Sequence, residues 1–420
     1  MAKTLSGTYN SLYTLSPAYT SFAVAATAAL NAGLYGGTSV TWTVANDGHI
    51  ASSSTASAGT YVGAVSLSAN GTITNASIVS GGTTTIGTIE ATGTGANGVV
   101  ISGNRKVINQ GNIRATRGGD GVRLGNGSVF NTGYVSGSYT GVRFADTVTN
   151  SGTAATIAGG VNGIETALTV INGGTVTGGN IGVLAPSGSV TNQSGGVIDG
   201  GEFGVRFGVT LDNSGTVIGG SELAVGGTGP VNNRAGALIS GYHGVRLSTN
   251  ALVNAGTIKS NAANAQSGYA AYLGSGSGTT VLDSLTNAQT GVISAAANGV
   301  IVPAKANGTL MNAGTIIGGV DAVKFCTGAN LLIVEPGAVS TGAVVGGTGK
   351  LELASAATAG TLSGLGSKYS GFNLVATNAG AAWNFTGANA GTVSNSGTAF
   401  IDPSSTLTAL LLGTGHVTIT

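Results

Sequence analysis

Glu202 and Glu222 occupy matching places in successive copies of a repeated phrase, each two positions ahead of a small residue, Gly204 and Ala224, that opens an apolar stretch. If each copy is one turn of the chain, the two carboxyls would stack about 5 Å apart, one rung above the other. Like charge at that distance raises the pKa of one member, which suits acid–base cleavage of a glycosidic bond or the holding of a cation. His243, Arg206 and Arg246 fall nearby by the same count and complete the best catalytic candidate in the chain. Two solvated corner carboxylates beside arginines are the simpler reading, and composition favours it. A polysaccharide-cleaving groove gathers acids and aromatics on one face, whereas only 7% of this chain is charged and 5% aromatic. The chain is therefore read as a non-enzyme with no cofactor.

A second spaced set is basic. Arg123, Arg143, Arg206, Arg246 and Lys324 each stand three places after a corner residue, while Glu165, Leu184 and Tyr272 take that place in other turns. Such a stripe could meet an acidic polysaccharide or a neighbouring subunit. The plainer expectation is a solvated face whose like charges keep stacked rods soluble, since exposed flat sheets otherwise aggregate. A net charge of +1 from 15 basic and 14 acidic residues argues against a nucleic-acid partner, which calls for a concentrated basic excess. His49, His243 and His416 are scattered and make no metal constellation. Cys326, the single cysteine, can form no intrachain disulfide and reads as a small buried hydrophobe at the end of VKFC. GTGANG (93–98) fits a dinucleotide-binding glycine pattern, but no βαβ unit surrounds it, and GGDG (118–121) lacks the calcium nonapeptide spacing.

What must position these residues is a repeat. Val or Leu, any residue, then Asn ends at Asn46, Asn109, Asn131, Asn150, Asn172, Asn192, Asn213, Asn233, Asn254, Asn287, Asn312 and Asn395. From Asn109 to Asn254 the successive steps are 22, 19, 22, 20, 21, 20 and 21. The gaps of 63 before Asn109 and 83 before Asn395 correspond to three and four periods. In phase with the asparagines run Gly-Val or Gly-Ile openings, as in DGVRL (120–124) and HGVRL (243–247), and a TI/TV/VI-x-GG phrase. Each period thus holds three strands of four to five residues between Gly-rich corners, too close for crossover helices. The fold class is all-β: a right-handed parallel β-helix (β-solenoid) with three short strands per turn of about 21 residues. With 76 glycines but only 6 prolines and 41% apolar residues, the chain is neither collagen nor a disordered linker. Asn suits a tight corner, and amides stacked from turn to turn can form a ladder that fixes the register. The asparagine column is read as structural.

Three segments follow. Residues 1–45, with Tyr9, Tyr13, Tyr19, Phe22, Tyr35 and Trp42, look like an N-terminal cap or docking segment. Residues 46–345 are regular solenoid with a loop insertion near 259–280, and 346–420 are C-terminal turns with an open, apolar end. No apolar run approaches the ~20 residues of a membrane-spanning helix, and no Sec-type signal is visible.

LSGLGSKYSGF (362–372) followed by AGAAWNFTG (379–387), with the NAGTI and NSGTV phrases, resembles the β-strand-repeat passenger proteins of bacterial cell surfaces. These include autotransporter passengers and repetitive proteins that in some members precede a self-processing Hedgehog/intein domain. The resemblance implies export and a structural or adhesive role, with the chain extracellular or at the cell surface. Open solenoid ends are templates for another chain, so the first expectation is head-to-tail assembly of copies of this chain into a filament. A monomeric adhesive rod binding extracellular polysaccharide through the arginine column is the alternative.

Overall fold

In a computed structural model, the described residues are 1–419 apart from 39, 57–61, 81, 249, 264–267, 275–281, 305 and 403. Among them there is no helix, and short strands stack in parallel as a β-solenoid. The chain divides into two compact units, Met1–Thr210 with Gly215–Gly220, and Leu211–Ser214 with Ser221–Thr420.

One rung of the first unit shows how sequence becomes structure. Thr175–Gly178, Ile181–Ala185 and Ser189–Asn192 form its three sides, called below the threonine, arginine and asparagine faces. Burial alternates along them, so Val176, Val183 and Val190 point inward while Thr177 and Thr191 lie nearer the surface. The period of two and the β-branched residues suit a pleated, half-buried surface. Stacking then builds columns. Ile113, Val135, Ile157, Val176, Ile198 and Val217 lie in register along the threonine face, each fully buried. In the second unit Leu252, Leu285, Leu310, Leu332 and Leu351 do the same on the asparagine face. No rung could bury these side chains alone; each supplies the floor of the next.

The asparagines stack as a ladder. In the first unit Asn46, Asn75, Asn109, Asn131, Asn150, Asn172 and Asn192 follow one another, each Nδ2 donating to the next Oδ1 at 2.7–2.9 Å. In the second unit Asn213, Asn233, Asn254, Asn287 and Asn312 repeat the bond at 2.8–2.9 Å. The same amides also donate to backbone carbonyls: Asn109 Nδ2 reaches Gly111 O at 3.0 Å and Tyr134 O at 3.1 Å. Gly two places after the Asn leaves room for the corner, since a Cβ on Gly133 would sit 2.3 Å from Gly111 O. At the start of the ladder Asn46 Oδ1 has no donor, because Val24 occupies the preceding place.

Asn75 escapes a search for Val or Leu because Ile73 stands before it. Its presence corrects the count between Asn46 and Asn109. That interval makes two steps, of 29 and 34 residues, rather than three periods. Part of the extra length is an antiparallel hairpin, Ser77–Ser80 with Thr83–Ile86, that leaves the solenoid at one corner. The interval from Asn312 to Asn395 does make four steps, through Val334, Leu353 and Thr377. Asn395 therefore lies in the column without an Asn neighbour, accepting from the Thr377 hydroxyl and donating to His416 O at 2.9 Å.

Residues 1–45, expected to cap or dock, hold rungs of the same pattern: Ala2–Leu5 pairs with Ser21–Val24, and Tyr13–Thr14 with Leu34–Gly36. Phe22 and Trp42 are buried 6.0 Å apart in the core. Within the insertion expected near 259–280, Tyr269–Leu273 is a strand in register with His243–Leu247; residues 264–267 and 275–280 of it lie outside the described residues. From residue 346 onward the asparagine face continues, while Gly360–Ser363, Ala382–Thr386, Thr398–Ile401 and His416–Ile419 form a separate parallel sheet. Of the open, apolar end, the side chains at 407 and 409–411 lie outside the described residues. Cys326 follows the strand Thr315–Phe325 and is a half-buried free thiol.

Candidate ligand-binding surface

On the arginine face each rung brings two residues into adjacent columns, the corner residue and the residue three places on. In the first unit these are Asp120 and Arg123, Thr140 and Arg143, Asn162 and Glu165, Ile181 and Leu184, then Phe203 and Arg206. In the second they are Leu223 and Gly226, His243 and Arg246, Tyr269 and Tyr272, Asn298 and Ile301, then Asp321 and Lys324. The arginine column is thus real, but it is not one uniform solvated stripe.

Arg123 and Arg143 are committed within the first unit. Arg123 Nη1 donates to Asp120 Oδ2 at 2.9 Å, and Arg143 Nε lies 3.2 Å from Glu165 Oε2 in an ion pair that is poorly aligned as a hydrogen bond. Both guanidiniums lie over the Phe144 ring, at 4.9 and 4.6 Å, and Arg143 also over Tyr139 at 5.1 Å. Their side chains are only 13% and 23% exposed. Burial pushes the Asp120 carboxyl up, the two arginines pull it down, and Glu165 raises it again. The expectation of like charges held in solvent fails here because carboxylates interleave with the arginines across rungs.

The second unit carries a different surface. The His243 imidazole stacks on the Tyr269 ring, 4.1 Å between centroids and 4° from parallel. Tyr242 meets His243 edge-on at 4.8 Å, and Tyr272 lies 5.2 Å from Tyr269. Arg246 is exposed over Tyr272 at 5.4 Å and forms no ion pair among the described residues. Glu222, one rung before, is exposed, and its backbone carbonyl accepts from His243 N at 2.8 Å. Burial holds the His243 imidazole below its ordinary value; Glu222 opposes this and Arg246 adds to it. Burial likewise pushes the Tyr269 hydroxyl up to about 12. His243 Nδ1 is buried without a hydrogen-bond partner. The result is a half-buried cluster of stacked and tilted rings, with Arg246 at its edge and Glu222 one rung before it.

The depressed imidazole makes a pH prediction. As the pH falls through about 6.5, His243 in the unfolded chain takes up its proton before the folded one does. Stability is therefore full above that pH and declines below it. Urea midpoints measured from pH 7 to pH 5 should drop less in His243→Gln than in the parent chain.

Of the proposed catalytic set, Glu202 belongs to the first unit and Glu222 to the second, each exposed at a corner. Arg206 is exposed over the Phe203 ring at 5.1 Å, and Lys324 pairs with Asp321 at 3.4 Å. Glu222 does stand with His243 and Arg246. Tyr269 and Tyr242, central to the cluster, were not singled out in the sequence. YAAYL (269–273) lacks the glycine that marks the other openings, although its distance from Tyr272 repeats the corner spacing. Among the described residues no three His, Cys, Asp or Glu side chains converge to hold a metal. Comparison with protein-family models, curated proteins and solved structures gives no match to this chain.

Proposed function

We propose that the chain is a non-enzymatic, exported surface protein whose solenoid presents a polysaccharide-binding face. The observation that carries this reading is the His243–Tyr269–Tyr272 cluster with Arg246 at its edge. Aromatic rings offer flat apolar area to the C–H faces of sugars, while Arg and His N–H groups donate to hydroxyls. Other exposed rings, Phe130, Tyr139 and Phe144, lie in the first unit, where Phe144 is covered by Arg123 and Arg143 that pair with carboxylates; the second unit's cluster has Arg246 at its edge with no ion pair among the described residues. Successive rungs about 4.8 Å apart would let an extended glycan lie along the face with contacts repeated rung by rung. Glycan-array binding of the full chain is expected, with signal falling about tenfold in Tyr269→Ala/Tyr272→Ala and in Arg246→Ser. An array with no bound glycan, or variants binding like the parent, would contradict the reading.

Self-association is the second reading, favoured by a separate observation. Among the described residues Ala2–Leu5 pairs with Ser21–Val24 and His416–Ile419 with Thr398–Ile401, and Val417 and Ile419 are 47% and 76% exposed. Apolar, exposed strands recruit further strands, and a head-to-tail contact between copies propagates into filaments. Electron microscopy across a concentration series should then reveal filaments, lost in Val417→Lys/Ile419→Lys. Monodisperse particles at every concentration would rule assembly out.

A further inference from the structure

The first unit carries a recess on its arginine face that the aromatic cluster does not involve. Along the arginine column the first rungs place Tyr35, Ser66, Val100 and Arg123 in register. Two short side chains between two long ones leave a notch two rungs high. Its lower part has a volume of about 420 Å³, and an upper part of about 250 Å³ shares Val100 and Ser102 with it. That size falls within the range of small-molecule sites.

The lining has three chemistries. Leu34, Leu67 and Val100 give an aliphatic floor. Ser52, Ser54, Ser66, Ser68 and Ser102 put hydroxyls around it, and Ser68 bonds the Tyr35 hydroxyl at 3.3 Å. At the upper end stands Arg105, whose Nη1 donates to Asn126 O at 3.2 Å and to the Asn126 amide oxygen. Arg105 differs from its neighbour Arg123, which Asp120 neutralises. It has no ion pair among the described residues, and its buried Nε has no acceptor. Desolvation lowers its pKa, and the Asp146 charge opposes this. The guanidinium lies where a Cβ on Gly125 would come within 2.6 Å of Nη2, so that glycine makes its seat.

We propose that this notch binds a carboxylate-bearing pyranose, a uronic acid unit of a polysaccharide, with the carboxylate at Arg105. A sugar ring presents C–H groups to the aliphatic floor and hydroxyls to the serines, and a carboxylate is drawn to the guanidinium by charge, with Nη2 left to donate because Nη1 is held by Asn126 and Nε is buried. A neutral sugar brings no charge to Arg105, and a purely apolar ligand makes no hydrogen bond with the lining hydroxyls. The site stands on residues of the first unit and does not depend on the reading of the second.

Isothermal titration of the full chain with trigalacturonic acid and with neutral galactotriose tests it. The acidic trimer should bind, the neutral one at least tenfold more weakly. Arg105→Gln should erase that preference, Arg105→Lys restore it only in part, and Ser66→Tyr, which fills the notch, abolish binding while circular dichroism stays that of the parent. Tyr269→Ala/Tyr272→Ala should leave the trimer's affinity for this site unchanged, so failure here and failure of the aromatic-face reading give different patterns. No binding of the acidic trimer, equal binding of both trimers, or an unaltered preference in Arg105→Gln would overturn the assignment.

Discussion

Replacing Asn131 by valine should destabilise the chain by about 2–4 kcal/mol, far more than an average surface change. The side chain is fully buried between two amides: Asn109 Nδ2 donates to it at 2.7 Å and it donates to Asn150 Oδ1 at 2.8 Å. Valine fits the space but leaves the buried Asn150 Oδ1 without its donor and takes the Asn131 amide from the Gly133 and Thr156 carbonyls, while Asn109 Nδ2 keeps Gly111 O and Tyr134 O; a buried polar group left without a partner costs about 1–3 kcal/mol. The column itself tolerates aliphatic residues, since Val334 and Leu353 occupy it beyond Asn312. What it does not tolerate is an aliphatic residue between two asparagines. Asn312→Val, at the end of the second unit's ladder, leaves no asparagine Oδ1 without its donor, since Val334 follows it and Asn287 Nδ2 keeps Gly291 O and Thr315 O, and should cost about half as much. Urea denaturation followed by circular dichroism measures both; equal losses at the two sites would refute the ladder argument.

Gly159→Ala should be the more damaging change. A Cβ there would lie 1.7 Å from the backbone oxygen of Asn162, and the register-matched Gly137, Gly178 and Gly200 meet the carbonyl three places on at 1.9, 1.9 and 1.8 Å. No rotamer relieves a clash between Cβ and backbone, so the corner must open and the rungs on either side lose their register. A loss above about 4 kcal/mol is expected, in the range reserved for breaks in core geometry. Gly152, by contrast, has open space around its Cβ and only a φ of 90° against substitution; Gly152→Ala should cost about 1 kcal/mol. Thermal denaturation and limited proteolysis of the two variants separate these outcomes.

The parts of this fold legible in the sequence are those set by the backbone. Stacking repeats the same inward positions every rung, so Asn109 to Asn254 can be counted off at nearly constant steps whatever the corners contain. Corners can lengthen without disturbing the stack, and there the count fails: the hairpin from Ser77 to Ile86 hides inside an apparent extra period, and Asn75 with it. The arginine column was visible for the same reason as the asparagines. Its electrostatics were not, because Asp120 and Glu165 reach their arginines across or along rungs by side-chain geometry that spacing alone does not encode. The aromatic cluster lay in plain text as His243, Tyr269 and Tyr272, yet stacking of the imidazole on a ring of the following rung becomes evident only when that lengthened rung is closed.

The central claim is that successive rungs lie in parallel with their asparagine amides bonded from one to the next. Hydrogen exchange of the Asn side-chain amides, followed by nuclear magnetic resonance on uniformly labelled protein, tests it directly. The Nδ2 protons of Asn109, Asn131, Asn150 and Asn172 should exchange as slowly as the most protected backbone amides of the same rungs, while those of exposed Asn126 exchange at once. Rapid exchange of the four ladder amides in the folded chain would contradict the account.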